Sequence, residues 1–274
     1  MDIGITGAKG FLGTHILDRL KRDSKIDSVS GFDLPEGDIF NIPSLEKFVS
    51  GKDVIIHLAA LNRADDAELM RVNVLGTLFL IKVIKQKNPS CRLVFASSFQ
   101  VYSKSDEKDT IDEDFPTVPV SIYGLSKRFC EEMIVSMLDN YAVLRISNIY
   151  GPGCKPFYNS VVATFVQLAK DKKPISITGK GTQSRDFVFV DDVAKAFEFA
   201  AISKENGIFN ICTGESVSLN HLAELLNKDF PNIEIKHTPS EEKFISTKGD
   251  YRKAKKDLRW SPSINFEQGL KRCY

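Results

Sequence analysis

Apolar positions along this chain follow two periods in turn. A compact β-type run comes first, then a stretch in which apolar residues return every three or four positions. Ile3 and Ile5 lead into Phe11, Leu12, Ile16, Leu17 and Leu20. A second strand over 29–33 leads into a short helix over 44–49, with Pro43 and Ser44 as helix-start residues. The run at 53–60 leads into a long helix over 65–87, the strand at 92–98 into a helix over 123–138, and a strand at 141–146 closes the series. This alternation predicts an α/β fold with a Rossmann-type, doubly wound parallel sheet over residues 1–150. Beyond Gly151-Pro152-Gly153 the rhythm loosens, with helices over 159–170, 191–202 and 219–227 and strands over 175–177, 185–190, 208–211 and 233–235. That predicts a smaller mixed α/β C-terminal lobe over 151–274, interleaved with the first domain around 187–212, and a cleft between the two for substrate. The polar stretch 103–119 has neither period and reads as a surface flap.

The junction of the first strand and helix reads Gly7-Ala8-Lys9-Gly10-Phe11-Leu12-Gly13. Gly7 allows a tight turn. Gly10, lacking a Cβ, lets a pyrophosphate approach the backbone, and Gly13 lets the helix lie close on the sheet. The helix N-terminus offers free N–H groups and a positive dipole end to phosphate. Asp33 ends the second strand, 20 residues beyond Gly13. A carboxylate there accepts the hydroxyls of an adenosine ribose and repels a 2′-phosphate, which favours NAD over NADP. Small residues after the strand at 53–60 leave room for a cofactor, and His57, inside an apolar run, reads as packing.

Tyr123 and Lys127 stand four apart, on one face of a helix. A phenol with an ordinary pKa near ~10 is a poor base at neutral pH. An ammonium one turn away and a positive nicotinamide ring both favour the phenolate and lower that pKa. Ser97 and Ser98 end the preceding strand, where a hydroxyl can bond the same substrate oxygen. Composition sets limits around this chemistry. A net charge of +1 gives no reason to expect a nucleic acid or an acidic membrane surface as partner. The longest apolar runs are short, and the chain opens directly on a strand, with no room for a signal peptide. Five scattered cysteines without a C-x-x-C spacing fit a reduced, cytoplasmic protein. No histidine or cysteine lies near the acids of 103–119, so no metal site is expected.

Taken in order, these motifs resemble the extended short-chain dehydrogenase/reductases, specifically the NAD-dependent sugar-nucleotide epimerase/dehydratase family and its UDP-glucose 4-epimerase branch. The resemblance runs nearly end to end, through 6–13, Asp33, 57–60, 73–77, 97–102, 123–127, 145–153, 179–187, 250–254 and 260–262. It implies Ser98 as catalytic hydroxyl, Tyr123 as base and Lys127 as its electrostatic partner. It implies NAD contacts from Gly7, Gly10, Phe11, Leu12, Gly13, Asp33, Asp38, Ile39, Leu58, Ala59 and Ala60, with Asn73, Tyr123 and Lys127. Asn73 would also support the active-site helix. Substrate contacts would come from Ser98, and from Asn148 and Arg185 on the diphosphate of a nucleotide-diphosphate sugar; pairing with Asp186 is the alternative role for Arg185. It also implies a homodimer formed through the helices at 65–87 and 123–138.

Departures narrow the reaction. The family's 4,6-dehydratases carry Asp-Glu after the catalytic hydroxyl, and its epimerase–reductases a cysteine at the second of these positions; this chain has Phe99-Gln100. A second phosphate contact before Asp250 is missing from its usual pattern, with Lys243 or Lys248 as substitutes. The segment 154–165 resembles one in bacterial reductases of keto sugar nucleotides. The reading is therefore an NAD-dependent epimerase that oxidises a sugar at C4 and returns hydride to the other face. The alternatives are a 4-keto sugar-nucleotide reductase and a non-catalytic dinucleotide sensor.

Overall fold

A computed structural model describes residues 1–274 except 36, 103–109, 159 and 241–245. Its strands are β1 (Asp2–Thr6), β2 (Ser28–Phe32), β3 (Val54–His57), β4 (Arg92–Ser98), β5 (Tyr141–Ile146), β6 (Asn148–Tyr150), β7 (Ile175–Thr178), β8 (Ser184–Arg185), β9 (Phe187–Phe189), β10 (Gly207–Ile211), β11 (Val217–Ser218) and β12 (Ile235–Thr238). The helices are α1 (Phe11–Leu20), α2 (Ile42–Val49), α3 (Asp66–Met70), α4 (Gly76–Lys87), α5 (Ile122–Met137), α6 (Val161–Lys170), α7 (Val190–Ile202), α8 (Leu219–Asp229), α9 (Arg252–Asp257) and α10 (Phe266–Lys271).

Six strands make one parallel sheet in the order β2-β1-β3-β4-β5-β10. The order reverses beside β1, which is where an open α/β sheet binds its ligand. Among the described residues β2 is an edge strand of the sheet. Period-two alternation assigns each strand residue a face. Leu93 and Phe95 pack with Cys130 and Ile134 of α5, whereas Val94 and Ala96 pack with Val193, Ala196 and Phe197 of α7. The sheet is thus covered on both sides, as its continuous apolar strands require. A second core, built on Tyr150, Phe165, Phe189, Leu222 and Phe266, underlies the smaller lobe. The chain passes between the two cores repeatedly. After β6 to β9, it returns to the main sheet at β10, and Ala254, Leu258 and Trp260 bury in the main core after β12.

Several elements depart from the sequence pattern. The helix expected over 65–87 is interrupted by a π-helical turn, Arg71–Leu75. The Thr77 hydroxyl donates to the Asn73 carbonyl (2.6 Å) and the Cys130 thiol approaches the same oxygen at 3.3 Å, so side chains serve a group that a regular ladder would use. Helix α2 starts earlier than Ser44 because Asn41 caps it, accepting from the Ser44 N–H. The strand expected over 185–190 breaks at Asp186, whose carboxylate turns inward and accepts from the N–H groups of Thr213 (2.8 Å), Gly214 (2.9 Å) and Gly249 (3.1 Å). The last strand begins at Ile235 and pairs with β7. The described part of 103–119 is no loose flap: Ile111 is buried and exchanges backbone hydrogen bonds with Lys248 and Asp250. Residues 103–109 of that expectation, the first residue of the helix expected over 159–170 and Lys243 lie outside the described residues. Among the described residues no helix is long and apolar enough to cross a membrane.

Candidate active site

The glycine turn has the close contacts that its sequence demands. Gly7 has φ +72°, and a Cβ there would lie 2.8 Å from the Ala59 nitrogen. A Cβ on Gly13 would lie 2.3 Å from the Gly7 oxygen, so α1 can approach β1 only without a side chain at that position. Gly10 differs: a Cβ there would meet only the Gly7 oxygen, at 3.2 Å, and the space above it is open. Gly10 is also the N-cap of α1, whose first turn has no acidic residue and no side-chain cap. That leaves the N–H groups and dipole of the helix N-terminus facing an open space. At the end of β2 the half-buried Asp33 accepts from the Lys9 N–H at 2.8 Å, tying the carboxylate to the turn.

The opposite end of the chemistry is set by α5. Ser121 caps it, accepting from the Gly124 N–H at 3.0 Å. Gly124 packs so tightly that a Cβ would fall 2.1 Å from the Gln100 oxygen. This contact brings α5 against the end of β4. Tyr123 and Lys127 then share one cleft of about 260 Å³ with Gly7, Gly10, Phe11, Leu12, Gly13, Leu58, Ala60, Ser97 and Ser98. Asn62, Ala96, Ile146 and Ser147 line it too. The sequence reading passed over these four, although Ala96 and Ile146 sit at strand carboxyl ends, where such sites form.

Lys127 is buried and donates from Nζ to the Ala96 carbonyl at 2.8 Å. Its Nζ lies 4.7 Å from the Phe95 ring centre and 5.7 Å from that of Tyr123. The expected lowering of the tyrosine pKa is not a property of the chain alone. Loss of water pushes the Tyr123 phenol up to about 12, and the same burial pushes Lys127 down to about 8. The ammonium is turned onto a carbonyl rather than onto the phenol, which leaves desolvation as the larger effect on both groups.

Other expected cofactor residues lie around the cleft rather than in its lining. Asp38 is exposed and accepts from the Phe40 N–H. Ile39 packs against Gly76, and the Ala59 N–H donates to the Thr6 hydroxyl at 3.3 Å. Asn73 is buried behind the wall. Its amide exchanges two hydrogen bonds with the Leu61 backbone, each 2.8 Å, and donates to Ser126 at 3.0 Å. It therefore braces α5 and the loop after β3. His57 is packing, as its surroundings suggested, between the hydroxyls of Thr6 (2.6 Å) and Thr77 (3.0 Å).

A second pocket of about 260 Å³ adjoins the first at Ile149 and brings Asn148 and Arg185 together with Ser160, Gln183 and Phe187. Pairing of β6 with β9 sets Asn148 opposite Phe187. Asn148 is fixed by two bonds to the Asp186 carbonyl, from its N–H (2.9 Å) and its side chain (3.3 Å). The Asp186 carboxylate is occupied by the backbone nest described above and by the Thr213 and Ser147 hydroxyls. Lys248 lines a different groove, with Gly214, Glu215 and His221. A larger groove of about 530 Å³ between α1 and α7 is lined by paired charges such as Arg19–Glu198 and contains none of the expected site residues.

A glycine turn, a Tyr/Lys pair and a serine at a strand end thus meet in one cleft on a doubly wound sheet. Residues 3–212 match the NAD dependent epimerase/dehydratase family, and the chain belongs to it. It is 34% identical, over 98% of its own length and 95% of the relative's, to a Methanocaldococcus jannaschii protein bearing the name of a UDP-glucose 4-epimerase. Its fold matches the UDP-glucose 4-epimerase of Thermotoga maritima with UDP-glucose, at TM-score 0.88 and 28% identity, over 99% of this chain and 96% of that one. It likewise matches the UDP-glucuronic acid 4-epimerase of Bacillus cereus in complex with NAD, at TM-score 0.89 and 26% identity, over 100% and 97%.

Proposed function

We propose that this protein is an NAD-dependent epimerase of a nucleotide-diphosphate sugar, acting by transient oxidation at C4. The observation that carries this reading is that Ser98, Tyr123 and Lys127 share one cleft with the glycine turn. The open space above Gly10, the uncapped first turn of α1 and the Asp33 carboxylate suit pyrophosphate and adenosine ribose. Bound NAD supplies the acceptor, and afterwards the donor, of the hydride. Tyr123 takes the sugar hydroxyl proton onto its phenolic oxygen, and Ser98 hydrogen-bonds the same sugar oxygen. Lys127 stabilises the phenolate, helped by the positive charge of the nicotinamide ring, which offsets the burial that opposes ionisation. Arg185 and Asn148 hold the diphosphate, so that the sugar turns while its nucleotide stays fixed.

Phe99 is buried among Val101, Tyr102 and Ile111, and the Gln100 side-chain oxygen accepts from Ser121 at 3.0 Å. Neither offers the acid and base that elimination of water needs, which favours epimerisation over dehydration. Leu75, Phe129 and Val135 each remain more than two-fifths exposed. This supports a homodimer formed through the helical segment 65–87 and α5. The five cysteines are all unpaired, in keeping with a reducing cytoplasm.

The deciding experiment incubates the purified protein with UDP-, dTDP- and GDP-sugars and analyses the products. An epimerised sugar with no net change in the near-ultraviolet absorbance of reduced cofactor is the expected result. Stoichiometric consumption of added reduced cofactor identifies a keto-sugar reductase instead. Tyr123→Phe should lower kcat by at least ~100-fold; near-normal turnover in that variant removes the proposed base.

A further inference from the structure

The face of α5 that carries Tyr123 and Lys127 continues one turn further to Glu131, spaced four residues beyond Lys127. Glu131 is fully buried and lines neither pocket described above. Buried carboxylates are costly unless they are paired and hydrogen-bonded, and this one has both kinds of partner. Arg145 of β5 grips it with a fork, Nη2 to Oε2 at 2.8 Å and Nε to Oε1 at 3.0 Å. The Ser97 hydroxyl of β4 donates to Oε1. Ser97 and Arg145 are register partners across β4 and β5, so Glu131 holds two neighbouring strands from one point on the helix.

The next residue along β4 is Ser98. In an extended strand, fixing the side chain of one residue fixes the direction of its neighbour. The same carboxylate stands beside Lys127, whose charge is opposed by burial and favoured by Cys130 and Glu131. Among the described residues, the charged and titratable groups around this point include Tyr123, Lys127, Arg128 and Cys130 on α5, His57 on β3 and Arg145 on β5, with Glu132 on Arg128, and Tyr102 and Glu113 beyond Arg145, the former 3.0 Å from its guanidinium. His57 is held neutral, with its pKa pushed down to about 3 by burial and by Lys127. Glu131, one turn along the helix, is therefore a carboxylate that favours the Lys127 charge against burial while it also pairs with Arg145.

We propose that Glu131 is a positioning residue of this reaction: it anchors the strand end that presents Ser98 and supplies the negative charge next to Lys127. The proposal rests on the epimerase reading for its kinetic consequences but not for its electrostatic one. Its test therefore pairs kinetics with direct titration of Lys127, by carbon-13 NMR of lysine labelled at Cε and assigned with Lys127→Met.

Glu131→Gln should move the Lys127 titration toward acid by about one pH unit or more, because a negative neighbour is lost and Arg145 is left uncompensated. The kcat/KM–pH profile should move the same way, with KM for the sugar nucleotide within about twofold. Ser97→Ala removes the anchor and leaves the charge. It should lower kcat about tenfold with no movement of the profile or of the Lys127 titration. Glu131→Asp keeps the charge but shortens its reach and should behave like Ser97→Ala, a second test of the anchoring role. Where Glu131→Gln does not fold, Arg145→Met, which leaves the Glu131 charge unpaired, should move the Lys127 titration toward alkali instead, and no movement there overturns the electrostatic role. A Lys127 titration unchanged in Glu131→Gln overturns the electrostatic role, and wild-type kcat in Ser97→Ala overturns the anchoring role. If no sugar is turned over by the parent protein, the epimerase reading fails on its own while the Lys127 titration still decides this one.

Discussion

At the scale of single residues, burial governs His57, Tyr123 and Lys127 more than neighbouring charge does. His57 shows it most simply. Its folded-state pKa is pushed down to about 3, so the folded protein resists a proton that the unfolded chain takes up near pH 6.5. Stability from this group is present above pH 6.5 and drains away as pH falls toward 3, at up to about 1.4 kcal/mol per pH unit. Urea unfolding between pH 7 and pH 4 should show this slope, and His57→Gln should flatten it. The identities of Tyr123, Lys127 and Ser98 were legible because their spacing depends on one strand and one helix. The state of Tyr123 was not, since the Lys127 ammonium finds the Ala96 carbonyl and that direction depends on tertiary packing. Arg145 was legible only as part of a motif. Its partnership with Glu131 joins residues on different elements that no local period connects.

At the scale of elements, the turn from β1 into α1 is the most tightly specified part of the molecule. Gly13→Ala puts a methyl group 2.3 Å from the Gly7 oxygen, so the helix must back away from the strand. Overpacking of this kind costs about 1–3 kcal/mol. The melting temperature should fall, and NAD affinity measured by calorimetry should fall further than Gly51→Ala causes, since a Cβ on that remote glycine meets nothing within 4 Å despite its positive φ. Long periodic segments were read correctly as to type, and their ends were missed where a side chain intervened. Asn41 moves the start of α2, Asp186 cuts a strand in two, and the Thr77 and Cys130 side chains accompany the π turn before α4. None of these alters the apolar period, and so none is visible in it.

At the scale of the whole molecule, the sequence suggested a second lobe over 151–274 interleaved with the first around 187–212, a span that includes β10, but it carried no sign that Ala254, Leu258 and Trp260 return to the main core. Apolar runs of that length suit either core equally well. The exposed Phe129 and Val135 on α5 have a consequence for assembly. On the proposed homodimer, Phe129→Glu should shift the protein to half its apparent mass in sedimentation at micromolar concentration, while the near-ultraviolet circular dichroism of each subunit stays intact. If the mass is unchanged, α5 is not the joint. The interleaving itself limits how such a protein can be remodelled. Because the polypeptide re-enters the main sheet after building part of the second core, that part is not a cassette: grafting one from a relative would mean splicing the backbone at every re-entry. On the proposed reading, new substrate preferences are better sought by changing side chains in place around the two pockets, with the thread of the chain left as it is.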